Sequence, residues 1–125
     1  MARAEIPKQV RRFIAKHIDS VGELEALLLL RSAPEEVWDV PRIMSRLYID
    51  EAETTRILDR LCRSGFLVLI DKRYEYRCRT QDLQQAVDAV AEFYARHLIP
   101  ITNMIHAKSR RIREFADAFR FRKDS

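Results

Sequence analysis

The chain has 125 residues, 47% hydrophobic and 34% charged. That is enough apolar material for one core, and it excludes wholesale disorder. Two glycines and four prolines are too few for sandwiches, barrels or glycine-rich phosphate loops, and they favour long helices. The formal charge is +4, but residues 108–125 carry seven Lys/Arg against three Asp/Glu, so residues 1–107 balance and the basic excess belongs to the tail.

No apolar run approaches the roughly 18 residues needed to cross a bilayer. The start, Met1-Ala2-Arg3-Ala4-Glu5, has no apolar signal core, so the expected setting is soluble and cytoplasmic. Cys62 and Cys78 are then expected to stay reduced. There is no Cys-x-x-Cys, and His17, His97 and His106 are scattered. No metal and no cofactor is expected.

Residues 3–18 carry Ile6, Val10, Phe13, Ile14 and Ile18 at spacings of three and four, one face of a helix. Pro7 falls in the expected first turn, where a missing N–H costs little. Lys8, Arg11, Arg12 and Lys16 lie off the stripe, as a solvated basic face or as a support on DNA phosphates. Ser20-Val21-Gly22-Glu23 has the form of a capping box. It opens a helix over about 21–32, whose run Leu27-Leu28-Leu29-Leu30 predicts the central buried element. Pro34 bars easy continuation.

Val37-Trp38-Asp39 reads as a short extended piece ending in a cap. Val40, Ile43, Met44 and Leu47 follow at helical spacing. Asp50-Glu51-Ala52-Glu53 is a second capping box, and its helix closes at Gly65. Phe66–Ile70 and Tyr74–Arg79 read as a β-hairpin around Asp71-Lys72-Arg73.

Thr80 caps a long helix over about 81–107. Leu83, Val87, Val90, Tyr94, His97, Ile101 and Met104 recur at steps of four and three, a heptad-like seam. Pro100 should kink it one turn earlier, near Arg96. After a polar stretch at 108–113, Ile112, Phe115, Ala116 and Phe119 set up a last short amphipathic helix.

The expected architecture is therefore mostly α with a small β-hairpin: an N-terminal helix (1–19), a central domain (20–79), a long helix (80–107) and a basic aromatic segment (108–125). The central order is helix, extended piece, helix, tight turn, helix, hairpin. Together with Trp38-Asp39, the Ile49-Asp50 turn and the run Leu58–Leu67, it resembles the winged helix-turn-helix family of bacterial transcriptional regulators. The flanking helices make it similar to dimeric regulators of the MarR kind, with no signature that assigns the subfamily. The resemblance implies a homodimer that binds double-stranded DNA and regulates transcription, with a recognition helix in the major groove and the wing on the backbone.

Fold does not give function, so the residues have to carry it. Arg56, Arg60 and Arg63 oppose the apolar stripe of the third helix of the central domain, and their planar forks suit phosphates and guanine edges. Arg42 and Arg46 precede them, and Lys72 and Arg73 sit at the wing tip. The DNA reading needs that arginine trio to project outward, free of carboxylates. Against it, residues 20–80 hold ten Lys/Arg and eleven Asp/Glu, and Glu51, Glu53 and Asp59 lie beside the trio, where i,i+3 and i,i+4 pairing can neutralise it. The alternative is a protein-interaction module of the same fold.

Leu83, Val87, Val90, Tyr94, Ile101 and Met104, with Phe115 and Phe119, are the candidate dimerisation set. The competing reading packs the seam against helix 3–18 within one chain, and both can hold, since Phe93, Leu98 and Ile105 widen the apolar surface beyond a single stripe. The tail can dock on a partner subunit, bind another protein, or lie on DNA or an anionic membrane as a basic amphipathic segment. No GxSxG, HExxH, phosphate loop or useful Cys/His pairing occurs, and the expectation is a non-enzyme.

Overall fold

The structure, a computed structural model, describes residues 5–124, with side chains through residue 119. Residues 3 and 4 of the expected first helix, Ser125, and the side chains of Arg120, Phe121 and Arg122 in the tail lie outside the described residues. Six helices and one hairpin follow in order: α1 (Lys8–His17), α2 (Val21–Ser32), α3 (Val40–Leu47), α4 (Glu51–Arg63), β1 (Leu67–Ile70), β2 (Arg73–Tyr76), α5 (Gln81–Arg96) and α6 (Leu98–Asp124). Among the described residues, no helix is long and apolar enough to cross a membrane.

Four helices start where a side-chain oxygen takes over an orphan N–H, the local rule for helix entry. Ser20 accepts from Glu23, Asp39 from Arg42, Asp50 from Glu53 and Thr80 from Leu83. The first helix begins later than its periodicity suggests, with Pro7 at the N-cap rather than inside the first turn. A cap proline keeps its fixed φ while its carbonyl still accepts from the Arg11 N–H.

Helix α4 ends in a Schellman motif. The Phe66 N–H donates to the Leu61 carbonyl and the Gly65 N–H to the Cys62 carbonyl. Gly65 has φ +91°, and a Cβ there would meet Arg79 and Leu83 at 3.2–3.3 Å. The chain therefore turns from α4 straight into β1.

The hairpin pairs Leu67 with Tyr76, Val68 with Glu75, Leu69 with Tyr74 and Ile70 with Arg73. Its two tip residues, Asp71 and Lys72, both have positive φ (50° and 65°), the signature of a type I′ turn, whose twist matches the strands. Trp38 closes the other edge of β2. Its N–H donates to the Tyr74 carbonyl and its carbonyl accepts the Tyr74 N–H. The short extended piece is thus a one-residue third strand.

One core holds all of this together. Leu24, Leu27 and Leu30 of α2 are fully buried among Ile43, Ile57, Leu58, Leu61 and Phe66, as expected of the central element. Each contributes roughly 1.5–3 kcal/mol by burial. Helix α1 packs on α5 through Val10, Phe13 and Ile14.

The seam from 83 to 104 differs from a dimer joint. Val87, Val90 and Ile101 are fully buried and Tyr94 nearly so within this single chain, while Leu83 and Met104 are half-buried against the same core. Within the chain, the seam packs on α1 and meets α2. The expected kink is a full break. His97 leaves helical geometry (φ −136°, ψ 59°), and α6 restarts at Leu98, two residues before Pro100. The expected polar interruption at 108–113 is absent, and α6 runs unbroken through it.

Candidate functional site

The three arginines of α4 meet different fates. Arg63 is exposed and has no ion pair among the described residues. Arg56 is exposed, but its Nη2 and Nε donate to both oxygens of Glu53, at 2.6 and 3.1 Å. This pair raises the Arg56 pKa and lowers that of Glu53. It is an exposed i,i+3 pair worth only a few tenths of a kcal/mol, and it exchanges readily.

Arg60 is committed elsewhere. Its Nη1 donates to Asp19 Oδ2 and, at 2.9 Å, to Glu23 Oε1. Glu23 is fully buried, so this guanidinium neutralises a carboxylate that water does not reach. The hydrogen bond to Asp19 raises the Arg60 pKa. The trio is therefore not an open cationic face. Its middle member is tied into the body, because Asp19 and Glu23 at the α1–α2 corner lie within reach of α4, and one flank is bound to Glu53 of its own helix.

The corner carries a charged knot. Glu23 Oε2 accepts the Asp19 N–H at 2.6 Å, and Ser20 Oγ accepts the Glu23 N–H at 3.1 Å. The box thus reaches one residue further back than its usual cap partner. Lys108 arrives from α6. Its Nζ lies 2.7 Å from Asp19 Oδ1 and donates to the carbonyls of Ile14 (2.9 Å) and Ile18 (2.8 Å). A lysine on the last carbonyls of α1 is a favourable C-terminal partner. Ser109 Oγ donates to the Asp19 carbonyl at 2.5 Å. Arg60 first, then Lys108, hold the Asp19 carboxyl below its ordinary pKa. His17 beside them stacks near Phe13 and Phe66. Its pKa is depressed first by burial, then by Lys16, Lys108 and Arg60.

The remaining predicted DNA contacts divide. Arg42 is engaged, lying 3.8 Å over the Trp38 ring and donating to Glu36 (3.1 Å) and the Val37 carbonyl (3.2 Å). Arg46, Lys72 and Arg73 are exposed and make no ion pair among the described residues. Arg77, on the polar wing face, pairs with Glu75 at 3.1 Å. Exposed Glu51 and Asp59 share the outer surface of α4 with Arg56 and Arg63, so that surface carries no excess of positive charge.

Of the dimerisation set, only Phe115 (75% exposed) and Phe119 (58%) face solvent, joined by Ile112 (47%). They continue a stripe that begins in the core. Ile101 and Ile105 are fully buried, Lys108 binds α1, and then Ile112, Phe115 and Phe119 follow at the same alternating steps of four and three. The face of α6 that grips the body runs on for a further three turns with Ile112, Phe115 and Phe119 exposed among the described residues. The sequence pattern hides Lys108, because a cation in a basic run looks like solvent-facing charge. The signal that identifies it is its place in an unbroken apolar register.

Among the described residues there is no cluster of three or more His, Cys, Asp or Glu suited to a metal. Tyr94, in the seam, donates to Glu25 Oε1 at 2.6 Å, and burial and that carboxylate push its pKa up to about 12. His97 lies against Phe93 at 4.6 Å, a packing role at the helix break. Comparison with family models and with curated proteins finds no match for this chain.

Proposed function

We propose that the chain is a protein-binding module on a winged-helix frame, and that it assembles through the free half of α6, with a second copy of itself as partner. The order α2, α3, α4, β1, β2, with Trp38 paired on the hairpin edge, agrees with that frame. One observation carries the reading: Ile112, Phe115 and Phe119 form an exposed stripe in register with the buried Ile101 and Ile105. A helical overhang of about 15 residues is marginal in water by itself, and an uncovered aromatic stripe marks an interaction surface. The pairing of Arg56 and Arg60 with carboxylates favours this reading over direct base recognition.

Sedimentation velocity tests it. The full chain should sediment as a dimer at micromolar concentration. The double variant Phe115→Ala/Phe119→Ala should sediment as a monomer whose melting temperature no longer depends on protein concentration. A full chain that stays monomeric throughout, or a double variant that still dimerises, removes the proposal.

A second reading, a homodimeric regulator binding double-stranded DNA, is favoured by Arg46, Arg63, Lys72 and Arg73, which are exposed and without an ion pair among the described residues. Those groups would clamp phosphates from the end of α3, the last turn of α4 and the wing tip, with Arg56 joining once Glu53 lets go. Fluorescence anisotropy with a mixed-sequence duplex should then give an affinity that falls steeply with salt. The triple change Arg63→Ala/Lys72→Ala/Arg73→Ala should weaken it by about tenfold or more. Binding that ignores both salt and the triple change sinks this reading.

A further inference from the structure

The seam between α1 and α5 is open on its outer side. The two helices run antiparallel, with Pro7 beside Phe93 and His97 at one end and His17 beside Leu83 at the other. Two adjoining clefts of about 330 and 390 Å³ lie along it and share Gln9. Val10 and Phe13 of α1 and Leu83, Ala86, Ala89 and Phe93 of α5 form the apolar floor. The two alanines make the depression, since a larger side chain at either position would fill it. From Leu83 to Phe93 the trough is about 15 Å long, close to three helical turns.

The α1 rim is a straight row of cations. Lys8, Arg12 and Lys16 follow at i, i+4 and i+8, are exposed, and make no ion pair among the described residues. The ten residues of α1 contain no carboxylate. Like charges four apart on a helix repel, and nothing within α1 offsets that repulsion. The other rim is balanced, with Glu92 against Arg96.

We propose that this trough is a docking groove for an acidic amphipathic helix of another protein. Apolar side chains at i, i+3 or i+4, and i+7 would fill the floor, and carboxylates along one flank would meet Lys8, Arg12 and Lys16. A phosphate backbone would satisfy the cations but leave the apolar floor uncovered. The chain's own basic tail would be repelled by the row, so this surface is distinct from the α6 stripe and stands independently of the self-association proposed above.

The test is an NMR titration of the full chain with a synthetic helical peptide of about 18 residues, with a Leu/Phe stripe flanked by Glu. Shift changes should cluster in residues 8–17 and 83–93. Lys8→Glu/Arg12→Glu/Lys16→Glu should weaken binding about tenfold or more, and a peptide with Lys in place of Glu should restore it. Ala86→Leu should weaken both complexes by filling the floor. Three results would overturn the proposal: shifts elsewhere or none, equal binding of the Glu and Lys peptides to the parent chain, or a DNA duplex that shifts the same residues at lower concentration than the acidic peptide.

Discussion

Replacing Arg60 by alanine should destabilise the fold by about 3 kcal/mol and lower Tm by ~10 °C. The reason is Glu23, which is fully buried and has its side chain 1% exposed. With Arg60 gone, the Glu23 carboxylate keeps only the Asp19 N–H, and an unneutralised carboxylate in the interior costs several kcal/mol. The figure sits at the low end for buried pairs because the Arg60 side chain itself is 28% exposed. Arg60→Ala/Glu23→Gln should recover much of the loss, since a neutral amide can still accept from Asp19.

The same contact sets an acid limit. Asp19 has a folded pKa below 3.8, lowered chiefly by its hydrogen bond to Arg60. Its stabilisation is complete above 3.8 and is lost as the pH falls through the lower folded value. Arg60→Ala should therefore also flatten the acid side of the stability profile. A loss below about 1 kcal/mol would show that Arg60 is loosely held, and would return it to the outer face as a candidate phosphate contact.

What sequence could and could not show follows the range of the interactions. Caps are local, and Ser20, Asp39, Asp50 and Thr80 all perform the role their spacing suggests. Gly65 ends α4 because the turn requires positive φ, which is also a local property. The hairpin is legible for the same reason, and Pro100 marks a disturbance near Arg96, though as a kink rather than the full break at His97. The fate of Arg60 is not legible. Its partners lie 41 and 37 residues away, and a helical wheel shows only which way a side chain leaves its own helix. The heptad pattern of α5 was visible, but the surface it packs on was not. A seam that fits a second subunit fits α1 equally well, and α1 is already tethered at high effective concentration. Charges at 108–113 conceal the continuity of the α6 stripe, so its pattern suggests a short separate helix.

Lys108→Met is expected to cost about 2 kcal/mol and to increase hydrogen exchange along the first half of α6. Methionine keeps most of the aliphatic stem, so the loss isolates the ammonium. All three of its N–H groups have acceptors: Asp19 Oδ1 and the carbonyls of Ile14 and Ile18. Removing them uncaps the end of α1 and leaves Ser109 as the remaining polar tie of this knot to α6. Because Asp19 receives both Lys108 and Arg60, the two positions should be coupled. Arg60→Ala/Lys108→Met should depart from the sum of the single effects by about 0.5 kcal/mol or more, whereas independent surface cations would add. Strict additivity, or an α6 whose exchange does not change, would mean that Asp19 does not join the two helices. A measured coupling would mean that α4 and α6 are joined through a single carboxylate at the α1–α2 corner.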